Sequence, residues 1–435
     1  LYVALNLIFL AILILLFRHW ANGQPLAKYL LPALAVKLVA GVAIGILYQY
    51  YYQGGDTLFL FEQSGHLAGL LRNSPRAFWF FPHETQFKDL YYFGVFKDLN
   101  PRVLFFGKFT AIFHLLTGGN YWLIGAYYSL FSLVGLWLCA NQLAHRFKSA
   151  APALAWSFFF FPSTALWSSG LLKESLLWGF LGTATALVLH HLYRAPDKAR
   201  AAPLRILHAA GHLTLFAGCL YGLFQLKYYY LAALIPSLAA LVIARAVQLR
   251  AKARWGPTLV FVVMFTGFLG IATQLHPSLH PEKLAVSLVR NYEVMADATD
   301  IDNLVYYSFA PNRLSVVQNM PRAWWAALFV PLPWEAGSNP LKMLVGLENL
   351  GLLCLAIYQL FGLAQTIKAK QPVFPPGTWP LAMAGLAYIA LLAVMLALAT
   401  ANIGTLLRYK NGFMPFFVAL LLPKRTSRGS TRSPT

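Results

Sequence analysis

Long apolar runs alternate along this chain with short basic stretches and with longer polar, aromatic-rich ones. A helix needs about 20 apolar residues to cross the hydrocarbon of a bilayer. Runs of that kind occur at 1–17, 29–51, 121–143, 150–169, 175–193, 206–225, 228–246, 257–275, 341–364, 380–400 and 404–423. Each predicts a transmembrane helix. The first lacks a basic start and a small-residue cleavage site, and many more spans follow it, so it reads as a span rather than a signal peptide. Two further apolar stretches do not fit the series. Residues 103–117 (VLFFGKFTAIFHLLT) predict a helix lying on the membrane surface, with Lys108 and His114 on its polar side. Residues 323–334 (AWWAALFVPLPW) carry tryptophans and two prolines that suit the headgroup layer.

Composition agrees with that pattern. Hydrophobic residues make up 59% of the 435 and charged residues only 11%, against roughly 25% charged in soluble domains. The net charge of +20, from 34 Lys and Arg against 14 Asp and Glu, would suggest a nucleic-acid partner in a soluble chain. In a membrane chain it orients the spans instead, because Lys and Arg accumulate in short cytoplasmic loops. The clusters at Arg18/Lys28, Arg146/Lys148, Arg194/Lys198/Arg200/Arg205, Arg245/Arg250/Lys252/Arg254, Lys368/Lys370 and Lys424/Arg425/Arg428/Arg432 all fall on one side if every span crosses once. The expected protein is all-α and polytopic, one transmembrane domain over 1–435 with about 11 spans. Its N-terminus lies outside and its C-terminus inside a bacterial inner membrane. Large outer loops cover 52–120 and 276–340. The three cysteines lie in apolar runs and imply no disulfide framework. His208 and His212 share a helix face, but no acid or cysteine joins them, so they read as interfacial histidines rather than metal ligands.

Of the 14 acids, only Asp197 falls inside, so the chemistry is sought outside. Two acids sit at the expected membrane boundary, where ionised groups are costly and usually functional. Asp56 follows two glycines in YYQGGDTLFLFEQSG and begins an amphipathic helix, where it would serve either as a helix cap or as a reactive carboxylate. Glu174 lies in PSTALWSSGLLKESLLWG, either capping a hairpin or returned to the same boundary as Asp56. Cations gather at that depth. Lys227 ends the short turn FQLKYYY, Arg408 and Lys410 lie in NIGTLLRYKNGFMP, and Arg290, Arg313 and Arg322 lie in the second outer loop. Such groups bind a lipid phosphate, or else snorkel to headgroups. Lys37, inside the second span, is either a snorkelling residue or a partner for Glu348.

In order, these features resemble the GT-C class of membrane glycosyltransferases. GGDT puts Asp56 where that class has an Asp opening a large first outer loop, and 103–117 supplies its membrane-lying helix. FFFFPSTALWSSGLLKESLLWGFLG looks like its Pro, Ser, Asp/Glu segment, which places Glu174 at the acid. RYKNGFMP resembles its Arg-Tyr…Pro ending, matching Arg408, Tyr409 and Pro415. VPLPWEAGSNPLKMLVGLENL is similar to bacterial envelope proteins of this kind. The resemblance implies an inverting transfer of a sugar from a polyprenyl-phosphate donor to a glycan, lipid or protein acceptor at the extracytoplasmic face. Asp56 would be the base and Glu174 its orienting partner. Lys227, Arg408, Tyr409 and Lys410 would contact the lipid phosphate, with Glu62, His66, Arg290, Arg313 and Arg322 as acceptor or loop contacts. No cofactor or nucleic acid is expected. A divalent metal is not implied, since Asp56 stands without the second acid that metal-using members often pair with it. The alternatives are a polysaccharide polymerase or ligase relying on Arg290, Arg313 and Arg322, a lipid-linked transporter, and a non-catalytic envelope-complex subunit.

Overall fold

In lipid every backbone N–H and C=O must be satisfied internally, so an apolar chain of this length folds as helices. The computed structural model describes residues 1–80, 101–193, 202–250, 256–275, 280–297, 303–337, 339–370, 373–374 and 377–422. Among these the regular structure is helical, with a single isolated bridge between Asn303 and Asn402. Among the described residues eight helices are long and apolar enough to cross a membrane, which makes this a polytopic membrane protein. Two of the expected spans are present only as short pieces. Residues 150–169 form α7 (Ala151–Ala155), a π turn (Trp156–Phe160) and α8 (Pro162–Trp167), while 404–423 form α16 (Ile403–Tyr409), a 3-10 turn (Lys410–Gly412) and α17 (Met414–Leu421). The expected spans at 206–225 and 228–246 belong to α10 (Ala202–Arg250), whose helical geometry breaks at Lys227, with φ −155° and ψ 85°.

The chain packs as two compact units. The first comprises Leu1–Ala151, Phe158–Leu189 and Ala195–Tyr228. Within it, α2 (Leu30–Ile46) packs on α6 (Tyr121–Arg146) and on α8, and α3 (Asp56–Asn73) packs on α4 (Pro75–Phe80) and along α5 (Pro101–Thr117). Residues 103–117, expected to lie on the membrane, belong to α5, and the two polar residues expected on its polar side do not share an open face. Lys108 is half-buried and bonds the Trp79 carbonyl. His114 is buried against Ser64 (2.8 Å) and the Phe61 carbonyl (3.1 Å). Burial depresses its pKa, with the carbonyl opposing. Its Nε2 lies within bonding distance of both α3 groups, so the ring joins α3 to α5.

α6 meets α9 (Lys173–Tyr193) at glycine. A Cβ on Gly135 would overlap the Trp178 carbonyl, and one on Gly182 would overlap the Gly135 carbonyl. Small residues permit such close approach where packing, not hydrophobicity, holds helices together. Gly182→Val is expected to lower stability by about 1–3 kcal/mol, read as a lower thermal midpoint in detergent. An unchanged midpoint would show that the two helices separate without cost.

The second unit comprises Pro152–Ser157, His190–Arg194 and Tyr229–Thr435. Here α12 (Pro281–Asp297) and α13 (Arg313–Phe329) pack on α15 (Trp379–Ala399), and α13 also contacts α14 (Pro340–Lys368). The Tyr306 hydroxyl donates to the Ala397 carbonyl and the Leu304 amide to that of Ala401, which seats residues 304–306 on the end of α15. Asparagine opens α6, α13, α14 and α16, with Asn120, Asn312, Asn339 and Asn402 each accepting from amides of the first turn.

Candidate active site

Asp56 does not cap its helix. Gly55 takes the cap position, at φ 104°, a conformation other residues rarely adopt. Asp56 is thus the first helical residue of α3, and it is exposed. A carboxylate there is favoured by the unpaired amides of the first turn. The next residue fixes its position. Thr57 is fully buried, its hydroxyl donating to the Leu171 carbonyl at 2.7 Å and lying 3.0 Å from the Tyr121 hydroxyl.

Leu171 belongs to a short turn, 168–172, that leads into α9, and Glu174 sits in the first turn of that helix. Glu174 is 1% exposed and accepts from the Lys227 ammonium at 2.6 Å. Lys227 is itself buried at the break in α10. Leu60 of α3, Leu171, Leu176 of α9 and Leu226 share one apolar cluster, so the start of α3, the turn and the α10 break converge. The structure pairs Glu174 with Lys227, and it ties Thr57, the residue after Asp56, to the turn three residues before Glu174. Lys227, expected as a lipid-phosphate contact, is bonded by Glu174. Among the described residues no group of three metal-binding side chains occurs.

The turn itself is held by residues that carry no motif. The Lys37 ammonium bonds the Ser132 hydroxyl at 3.0 Å, the Ser168 hydroxyl at 2.6 Å and the Ser168 carbonyl, partners that neither alternative read from the sequence had named. The Gly170 amide donates to the Ser129 hydroxyl, and the Ser175 hydroxyl donates to the Gly170 carbonyl. Isolated hydroxyls in apolar runs gave no signal of this. Arg102, at the start of α5, was also unmarked by sequence; its guanidinium lies 4.6 Å from the Tyr228 ring centre.

Glu62 is exposed and His66 half-buried, both on α3. In the second unit, Lys410 is fully buried and donates to Asn349 at 2.9 Å, while Asn349 donates to the Pro331 carbonyl. Arg408 lies over its neighbour Tyr409, whose carbonyl accepts from Tyr230. Arg290, Arg313 and Arg322 are exposed, and Arg313 pairs with Glu282 at 2.8 Å on the surface. Burial raises the pKa of Tyr292 and Tyr306, and the nearby Arg322 charge opposes it. His208 and His212 stand edge to face with ring centres 5.8 Å apart.

No protein-family model, no curated protein and no solved structure matches the chain.

Proposed function

We propose that this protein is a membrane glycosyltransferase that moves a sugar from a polyprenyl-phosphate donor to an acceptor hydroxyl at the extracytoplasmic face. One observation carries the proposal. An exposed carboxylate, Asp56, is fixed through Thr57 to the turn that leads into a buried Glu174–Lys227 pair. In a chain this poor in acids, an accessible carboxylate tied to the segment that carries a dry, charged pair supports a general-base reading.

In the proposed reaction the Asp56 carboxylate takes the proton of the acceptor hydroxyl. The acceptor oxygen bonds to the anomeric carbon, and the bond from that carbon to the phosphate oxygen breaks with inversion. The polyprenyl phosphate leaves with the electron pair, so it requires cationic stabilisation rather than an acid. Glu174 holds Lys227 and thereby the geometry of the turn. Arg408, Tyr409 and Lys410 of the second unit stay proposed contacts for anionic lipid, and the basic clusters support an outside N-terminus.

The test uses the full chain in proteoliposomes with polyprenyl-phosphate sugars. Asp56→Asn is expected to lose transfer, while joint replacement of Arg290, Arg313 and Arg322 by Gln retains it. The opposite outcome would assign the chain to polysaccharide polymerisation or ligation, where exposed outer-loop arginines do the work.

A further inference from the structure

Residues 168–172 form no helix, yet all five are buried. A non-helical segment in an apolar bundle leaves backbone groups that must find partners. Here side chains from three helices supply them. Lys37 of α2 reaches the Ser168 carbonyl, Ser129 of α6 accepts from the Gly170 amide, and Thr57 of α3 donates to the Leu171 carbonyl. Ser175 closes the turn from within α9.

Lys37 stands apart in this set. It is the one charged member, it is fully buried, and an ionisable residue inside a span is expensive unless it has a task. Its three N–H donors meet three acceptors: the Ser132 hydroxyl on α6, and the hydroxyl and carbonyl of Ser168. A lysine stem is long enough to tie two other segments at once, which a serine or threonine on α2 would not be. The tie acts six residues before Glu174 and three before Leu171, where Thr57 fastens the start of α3.

We propose that Lys37 is a positioning residue of the Asp56–Glu174 site: its ammonium, bound to Ser132 and Ser168, fixes the turn on which both carboxylates depend. The inference rests on the transferase reading for its kinetic part only. Loss of the ammonium frees the turn to shift, and a displacement of about 1 Å in a catalytic geometry costs roughly a hundredfold in rate.

The experiment uses the full chain with Cys219 and Cys354 changed to alanine and Ser169→Cys introduced as a reporter in the turn. Cys139, buried on α6, serves as an internal control. Ser169 is fully buried, so the reporter is expected to resist N-ethylmaleimide. Adding Lys37→Met is expected to let the reporter label while Cys139 stays protected. In the same variant kcat should fall roughly a hundredfold with KM within about twofold, because donor and acceptor still bind. Ser132→Ala, which removes one acceptor, should shift both readouts in the same direction by less, and it serves if Lys37→Met does not fold. A reporter that stays protected, labelling of the reporter and Cys139 together in both variants, or a labelled turn with unchanged kcat would overturn the proposal. If the unaltered chain transfers no sugar, the transferase reading fails; selective labelling would then still uphold the hold of Lys37 on the Glu174 segment, and its absence would remove that too.

Discussion

Lys227→Met is expected to cost about 3–5 kcal/mol of stability, the usual result of removing one partner of a buried ion pair. The Glu174 carboxylate is 1% exposed and sits 2.6 Å from the ammonium. Without that charge it must stay ionised in an apolar cluster or take up a proton, and both options are uphill from the paired state. The thermal midpoint in detergent should fall sharply. Joint replacement with Glu174→Leu should return most of it, because a well-packed apolar pair often does as well as an ion pair. Transfer should stay lost in the double variant, since the anchor of the site is gone. A single variant with an unchanged midpoint would show that the pair is not the strut its burial implies.

Asp56→Asn is expected to reduce transfer by about 10²–10⁴-fold, the span of general-base contributions. The amide keeps the size of the carboxylate and cannot take the acceptor's proton. Because Asp56 is exposed and Gly55, not Asp56, holds the cap position, the fold should be untouched and the midpoint unchanged. Loss of rate without loss of stability therefore separates chemistry from capping. Turnover near the level of the unaltered chain would end the assignment of Asp56 as base.

Much of the fold was legible before any coordinates. Apolar runs of membrane length gave the helices, because lipid leaves the backbone no alternative to internal hydrogen bonds. At 150–169 and 404–423 no single helix of membrane length forms, for a reason composition does not carry. Both are apolar enough to span, yet the chain breaks them into short helices and turns. The first break is held by buried lysine and hydroxyl groups from other helices, and those partners are far away in sequence. His114 was misplaced for a similar reason, since helical spacing marks a polar residue without showing that Ser64 awaits it on the neighbouring helix.

The candidate site divides the same way. Asp56 and Glu174 stood out because acids are scarce and sat at expected boundaries. Lys227 stood out too, as a ligand contact; its pairing with Glu174 came only from the packing. The sequence alone determined that this is a helical membrane protein, that its acids and basic loops are segregated, and which few acids merit testing. Tertiary structure decided which of those groups meet. Hydropathy is a local property of ten or twenty residues, whereas an ion pair joining residues 174 and 227, or a lysine at 37 tied to a turn at 168, exists only once distant segments have packed.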